Sequence, residues 1–145
     1  MQTIQTTTEH QLNDAFYIRK KVFVEEQKVP LDLEIDEFEN ESTHFVLYDD
    51  SVPIGAGRFR TVEGFGKVER ICIMADYRRV GAGKMIMETI EQFARKNKIQ
   101  QLKLHAQISA IPFYEKLGYT VCSEEFMDAG IPHKTMIKQL HEEIV

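Results

Sequence analysis

The sequence is poor in cysteine, in positive charge and in long apolar runs, and each shortage closes off a class of protein. Cys72 and Cys122 are its only cysteines. Neither has a partner at metal-ligand or redox-motif spacing, so reduced thiols in a cytoplasmic protein are the expectation, and no metal is. Lys and Arg number 18 against 23 Asp and Glu, for a net charge of −5, which disfavours nucleic acid as a partner. The longest apolar runs, such as residues 45–48, fall far short of a bilayer's thickness, so no membrane span is expected. The opening Met1-Gln2-Thr3-Ile4-Gln5 offers neither the basic start nor the apolar core of a signal peptide. There is no internal repeat, linker or low-complexity segment.

What is present suits one globular domain spanning residues 1–145, with 43% hydrophobic and 28% charged residues. Residues 4–7 read as a short strand, and Thr8 with Gln11 forms a capping box for a helix. That helix carries Leu12, Ala15, Phe16, Val22 and Phe23 at helical spacing and is expected to end near Glu26, ahead of Pro30. Residues 31–41 are strongly acidic and read as a solvated loop or a short second helix. Strands at 43–48, 52–62 and 67–74, joined by tight turns, predict an antiparallel meander, with Gly55 and Gly57 marking a bulge or a close backbone approach. Further strands follow at 100–106, 119–122 and 133–137, with a short helix started by Pro112 and stopped by Gly118. Strands joined through helices pair in parallel, so the sheet is mixed and the fold class α/β.

The chain is organised around residues 69–94. A strand carrying Ile71 and Ile73 on one face breaks at Ala75-Asp76-Tyr77 and reaches Arg78-Arg79-Val80-Gly81-Ala82-Gly83-Lys84. An amphipathic helix then presents Met85, Ile86, Ile90, Phe93 and Ala94 on one side. A glycine-rich turn between strand and helix offers unpaired N–H groups and the positive end of the helix dipole to an anion. Arg78, Arg79 and Lys84 add full charges, which points to a pyrophosphate-bearing ligand. A Walker A loop is excluded, because Gly81 and Gly83 are too close and Met85 follows Lys84. A dinucleotide fingerprint is excluded by Ile86 at its third glycine.

What remains, Arg-x-x-Gly-x-Gly directly after a strand, resembles the acetyl-CoA pyrophosphate loop of the GNAT superfamily of N-acetyltransferases. About thirty residues on, Gln107 and the run Ala110-Ile111-Pro112-Phe113-Tyr114-Glu115-Lys116-Leu117-Gly118-Tyr119 are similar to that family's second motif. Gln107 replaces the usual Asn and Tyr119 the usual Phe. The segment from Arg19 to Gln27, then Glu34-Ile35-Asp36, His44 and Gly130-Ile131-Pro132-His133, looks like the ElaA/YjcF-like branch. The resemblance implies a twisted, mixed, mostly antiparallel sheet with two splayed central strands and flanking helices. It implies that Ile71 and Ile73 pair through their main chain with the pantetheine arm of acetyl-CoA, that residues Arg78, Arg79, Val80, Gly81, Ala82, Gly83 and Lys84 hold its pyrophosphate, and that Gln107, Ala110 and Phe113 line its other side. Tyr114 stands where the family carries the tyrosine that protonates the departing sulfur.

Acetyl transfer to an amine needs a neutral amine, placement, a polarised carbonyl and a proton for the thiolate. Glu69 stands in the register where related enzymes often carry a glutamate base; the alternative is a surface glutamate at a strand's start. His105 and His133 are candidates for the acceptor side or for structural histidines, and Glu26 for its border or for a solvated residue. Arg58 either binds an acidic acceptor or pairs with the acidic segment. The expected activity is direct acetyl transfer from acetyl-CoA to a primary amine of a small metabolite, with a homodimer as the candidate assembly. Acetylation of proteins or peptides, or CoA binding without catalysis, is the alternative.

Overall fold

The computed structural model describes residues 1–140. In chain order it contains β1 (Gln2–Gln5), α1 (Glu9–Arg19) continued by a π-helical turn (Lys20–Glu26), α2 (Leu31–Glu34), β2 (Thr43–Asp49), β3 (Val52–Val62), β4 (Phe65–Ile73), α3 (Ala82–Lys96), β5 (Gln101–Gln107), α4 (Ile111–Lys116), β6 (Thr120–Val121), β7 (Phe126–Asp128) and β8 (Ile131–Gln139). All eight strands join one sheet in the order β1-β2-β3-β4-β5-β8-β6, with β7 also paired to β8. Only the β4–β5 pair is parallel, as the crossover through α3 requires. The result is a single α/β domain of the expected class.

Two helical layers cover the sheet. On one face α3 buries Ile86, Met87, Ile90 and Ala94 against Phe45, Leu47, Val68, Leu102 and Leu104; each large side chain so buried contributes about 1.5–3 kcal/mol. Met87 widens the predicted apolar stripe, while Met85 and Phe93 lie at its margin. On the other face Ala15, Ile18 and Val22 pack on Val46, Ala56 and Cys72. The capping box forms as predicted: Thr8 Oγ1 accepts from the Gln11 amide at 3.2 Å, and Gln11 Oε1 accepts from the Thr8 amide at 3.3 Å. Such a cap is worth about 1 kcal/mol. Gln11 Oε1 also accepts from the Thr7 amide at 2.7 Å, so the first strand ends at Gln5, with Thr6 N–H making a last bond to the His44 carbonyl at 2.9 Å.

Gly57 gives α3 its place on the sheet. A Cβ there would lie 2.8 Å from Ile71 Cδ1 and 3.1 Å from Ile86 Cγ2 and Ile90 Cδ1. Beside it the β3–β4 register slips by one residue between Ala56↔Cys72 and Arg58↔Glu69, with Arg70 at φ 59°. This is a β-bulge, which bends its strand and increases local twist. β4 accordingly leaves β5: the two pair only from Gly66↔Leu102 to Val68↔Leu104. Beyond Val68 they diverge into a V.

Two expectations need correction. The acidic segment does form the short second helix, α2, but it is not a solvated run, since Glu34 is buried and Glu39 nearly so. The long closing turn contains a strand, β7, which makes a hairpin with β8 through Ala129 and Gly130, both at positive φ.

Candidate active site

The V between β4 and β5 opens into a cleft of about 720 Å³. Met74, just past the end of β4, donates its N–H to the Ile54 carbonyl at 2.8 Å, which puts Met74 and Cys72 in phase as the residues that bond to β3. By the alternation of an antiparallel ladder, the main-chain groups of Ile71 and Ile73 face the V, where no strand stands opposite them. Arg78 Nε donates to the Ile73 carbonyl at 2.9 Å, at the end of this open edge.

The edge leads into the glycine-rich turn. Arg79 (φ 70°) and Gly81 (φ 81°) both adopt left-handed conformations, and Gly81 is the N-cap of α3 without a side-chain cap. Alternation of this kind turns successive N–H groups toward one concavity, an anion-binding nest at a helix N-terminus. A Cβ on Gly81 would meet nothing within 4 Å, so the space beside it is open. Gly83 differs: its Cβ would lie 3.0 Å from the Phe113 ring, and its missing side chain makes room for the wall that α4 supplies. Arg79 has no ion-pair partner among the described residues, whereas Arg78 grips Glu26 through both terminal nitrogens at 2.7 and 2.8 Å. The pair ties the π-helical turn to the nest.

Behind the cleft an arginine–carboxylate network holds the acidic segment in place. Arg19 Nε donates to Glu34 at 2.8 Å and its terminal nitrogens to Glu39. Arg58, fully buried, donates to Asp36 at 2.7 and 3.0 Å and to Glu69 at 3.0 Å. Arg70 reaches Glu34 and Asp36 at 3.1 and 3.2 Å. Partial burial works against ionisation of Asp36, but hydrogen bonds from Arg58 and the Phe38 amide hold its carboxyl down at about 2. At Glu69 burial pushes the carboxyl up, yet the Arg60 hydrogen bond and the charges of Arg58 and Lys67 outweigh it and keep it below the usual range. Glu69 is therefore a locked carboxylate, with Oε1 accepting from two guanidiniums. That makes it a weak proton acceptor.

Tyr114, on α4, is buried at the cleft's base against Phe113 and Tyr119, with ring centroids 5.0 and 5.9 Å away. Burial pushes its phenol well above the usual range, so the hydroxyl keeps its proton. His105 is exposed on the cleft wall, its ring edge-on to Phe126 at 5.0 Å. Burial of part of the ring, then the Lys67 charge, lower its pKa, so it is neutral at neutral pH. His133 is buried, and its Nδ1 lies 2.6 Å from the Ile131 carbonyl. Gln107 Nε2 donates to Gln27 at 2.8 Å, bridging β5 to the π-helical turn.

Of the residues singled out in the sequence, Glu69, Ile71, Ile73, Arg78, Arg79, Gly81, Ala82, Gly83, Lys84, His105, Gln107, Ala110, Phe113, Tyr114 and His133 all line this one cleft. Three stand apart. Val80 is 56% exposed at the loop's tip, so only its main chain serves the nest. Glu26 borders the cleft solely through Arg78. Arg58 is spent on Asp36, Glu39 and Glu69 and has no exposed surface for an acceptor. Sequence reasoning missed the wall made by Phe23, Gln27, Leu33, Glu34, Arg70 and Asp128. Its sequence signal was the set of arginines, Arg19 on α1, Arg58 on β3 and Arg70 on β4, that match the acids of residues 34–39. Among the described residues no group of His, Cys, Asp and Glu is arranged to hold a metal.

Comparison with known proteins agrees with this geometry. The profile of the Acetyltransferase (GNAT) domain matches residues 5–140. The chain is 51% identical over 139 residues to a Bacillus subtilis protein named uncharacterized N-acetyltransferase YjcF, covering 95% of this chain and 99% of that protein. A crystal structure described as an N-acetyltransferase from Lactobacillus plantarum superposes with a TM-score of 0.90 at 27% identity, over 97% of this chain and 98% of the other. An aminoglycoside 6′-N-acetyltransferase solved with coenzyme A shares the fold, with a TM-score of 0.78 at 13% identity over 100% of both chains.

Proposed function

This chain belongs to the GNAT family of acetyltransferases, and on that premise we propose that it transfers the acetyl group of acetyl-CoA directly to a primary amine of a small metabolite. The observation that carries the proposal is the continuity of the open β4 edge with the anion nest in one cleft. A pantetheine arm is a chain of amides and fits an edge that offers the groups of Ile71 and Ile73. A pyrophosphate fits the N–H groups of residues 80–84 with Arg79 and Lys84 beside them. The fold neighbour solved with coenzyme A supports the choice of cofactor.

The residues divide the chemistry. Main-chain N–H groups of β4 would polarise the thioester carbonyl, a contribution of about 3–4 kcal/mol per well-placed donor. Tyr114 supplies the proton for the departing thiolate. A covalent acetyl-enzyme through a thiol is disfavoured, since Cys72 is buried and burial pushes its thiol up to about 12. Cys122 is not on the cleft wall. Direct transfer follows. A small acceptor is favoured because Val29, Leu33 and the β7–β8 residues Asp128, Ala129 and Ile131 add walls to the same cleft.

The test is a panel of glucosamine, lysine, spermidine and a lysine-bearing peptide with acetyl-CoA, followed by free thiol release. Acetylation of one or more small amines supports the proposal. Turnover confined to the peptide would replace it with protein acetylation, and CoA binding without any turnover would leave a binding module.

A further inference from the structure

We propose that His133 is the general base that takes a proton from the acceptor ammonium, its Nδ1 anchored on the Ile131 carbonyl and its Nε2 left as the basic atom of the cleft. The inference rests on the N-acetyltransferase reading above and assigns it a residue.

The argument begins with the 2.6 Å contact between Nδ1 and the Ile131 oxygen. A carbonyl oxygen only accepts, so Nδ1 carries the hydrogen and Nε2 the lone pair. A histidine whose second nitrogen is fixed by a backbone carbonyl is held in one tautomer and one orientation. His133 is 8% exposed, yet it lines the cleft. Its ring lies nearly parallel to Phe126, at an interplanar angle of 22° and 6.1 Å. The β5–β8 register sets it opposite Gln107, at the open arm of the V.

The other titratable groups of the cleft serve less well. Glu69 on β4 is held by Arg58, Arg60 and Lys67. Glu34 is buried between Arg19 and Arg70. His105 on β5 has a neutral ring but, among the described residues, no hydrogen bond that sets its tautomer, and it is exposed. His105 and Gln107 on β5, Asp128 on β7, and Lys67 and Glu69 on β4 line the same cleft as His133, and Phe126 of β7 stands opposite it in the ladder.

In the reaction, one N–H bond of R–NH₃⁺ breaks and its proton goes to Nε2, which leaves a neutral amine and an imidazolium. The amine lone pair forms the N–C bond as the C–S bond breaks, and the bonding pair leaves with sulfur. Tyr114 O–H gives its proton to that thiolate, and the second proton lost by nitrogen restores the phenol. His133 then returns its proton to water. Two protons leave nitrogen, one reaching water and one sulfur.

The test uses the full chain with the amine panel above. In His133→Gln, kcat/KM near neutral pH should fall about 10²–10⁴-fold and the acid limb of the pH–rate profile should vanish. CoA affinity and Tm should stay near wild type, and His105→Gln should keep the acid limb. Independently of turnover, long-range ¹⁵N–¹H correlation on the free protein should show the neutral His133 ring with its hydrogen on Nδ1. An Nε2–H tautomer, or wild-type turnover with an unmoved profile in His133→Gln, overturns the base assignment alone. Absence of turnover by the wild type with every amine overturns the N-acetyltransferase reading and the base with it.

Discussion

Replacing Arg58 by Met should destabilise the domain by about 3–5 kcal/mol near neutral pH, because it strands Asp36, Glu39 and Glu69 around a buried apolar side chain. Arg58 has no solvent exposure, and all three carboxylates lie within 3.0 Å of its terminal nitrogens. Part of the loss can be worked from Asp36. A fall in its pKa from 3.8 to about 2, at 1.36 kcal/mol for each pKa unit, is worth about 2.4 kcal/mol. Its side chain is 22% exposed, so screening trims that toward about 1–2 kcal/mol. A carboxyl depressed in the folded state stabilises above its unfolded pKa, and the contribution is lost as pH falls through the folded one. For Asp36 the window runs from 3.8 down to about 2, and Glu39 and Glu69, also depressed, act on the same acid side. Urea unfolding followed by circular dichroism, at about pH 7 and about pH 2, should show the gap between wild type and Arg58→Met narrowing by about 1–2 kcal/mol in acid. A loss below about 1 kcal/mol at neutral pH, or a gap that stays constant, would refute the network as what fixes the acidic segment.

Four further substitutions probe the cleft. Tyr114→Phe removes one oxygen and keeps the packing on Phe113 and Tyr119, so kcat should drop about 10²–10⁴-fold while CoA affinity and Tm hold; near-normal kcat, with chemistry shown to limit turnover, would reject Tyr114 as the acid. Gly81→Val should abolish CoA binding in calorimetry and also lower Tm, since a β-branched residue at φ 81° carries about 1–2 kcal/mol or more of backbone strain. Gly83→Ala, at an ordinary helical position 3.0 Å from Phe113, should do less of both, and equal effects would show that the nest is not centred on Gly81. Glu69→Gln should weaken stability through Arg58 and Arg60 yet keep the acid limb of the pH–rate profile. Loss of that limb would return the base role to Glu69.

The sequence by itself determined whatever depends on residues close along the chain. The capping box of Thr8 and Gln11, the meander of β2 to β4, the Gly81 turn and the apolar stripe of α3 each follow from spacing or backbone chemistry within a few residues. So did the cofactor side of the cleft, because strand, turn and helix are contiguous from Glu69 to Lys84, and the second motif from Gln107 to Tyr114 adds its far wall. Only the tertiary structure decided the acceptor side. The acids of residues 31–41 look solvated in sequence, because Arg58 and Arg70, which neutralise them, lie on strands far along the chain. Glu69 reads in sequence as either a base or a surface glutamate, and only the fold sets Arg58, Arg60 and Lys67 around it. The orientation of His133 depends on the hairpin that turns Phe126 back onto β8 and on a contact with its own Ile131 carbonyl. Periodicity and propensity record the local backbone, whereas ion pairing and burial between distant segments are set by the sheet's register, and a one-residue bulge at Arg70 moves them all.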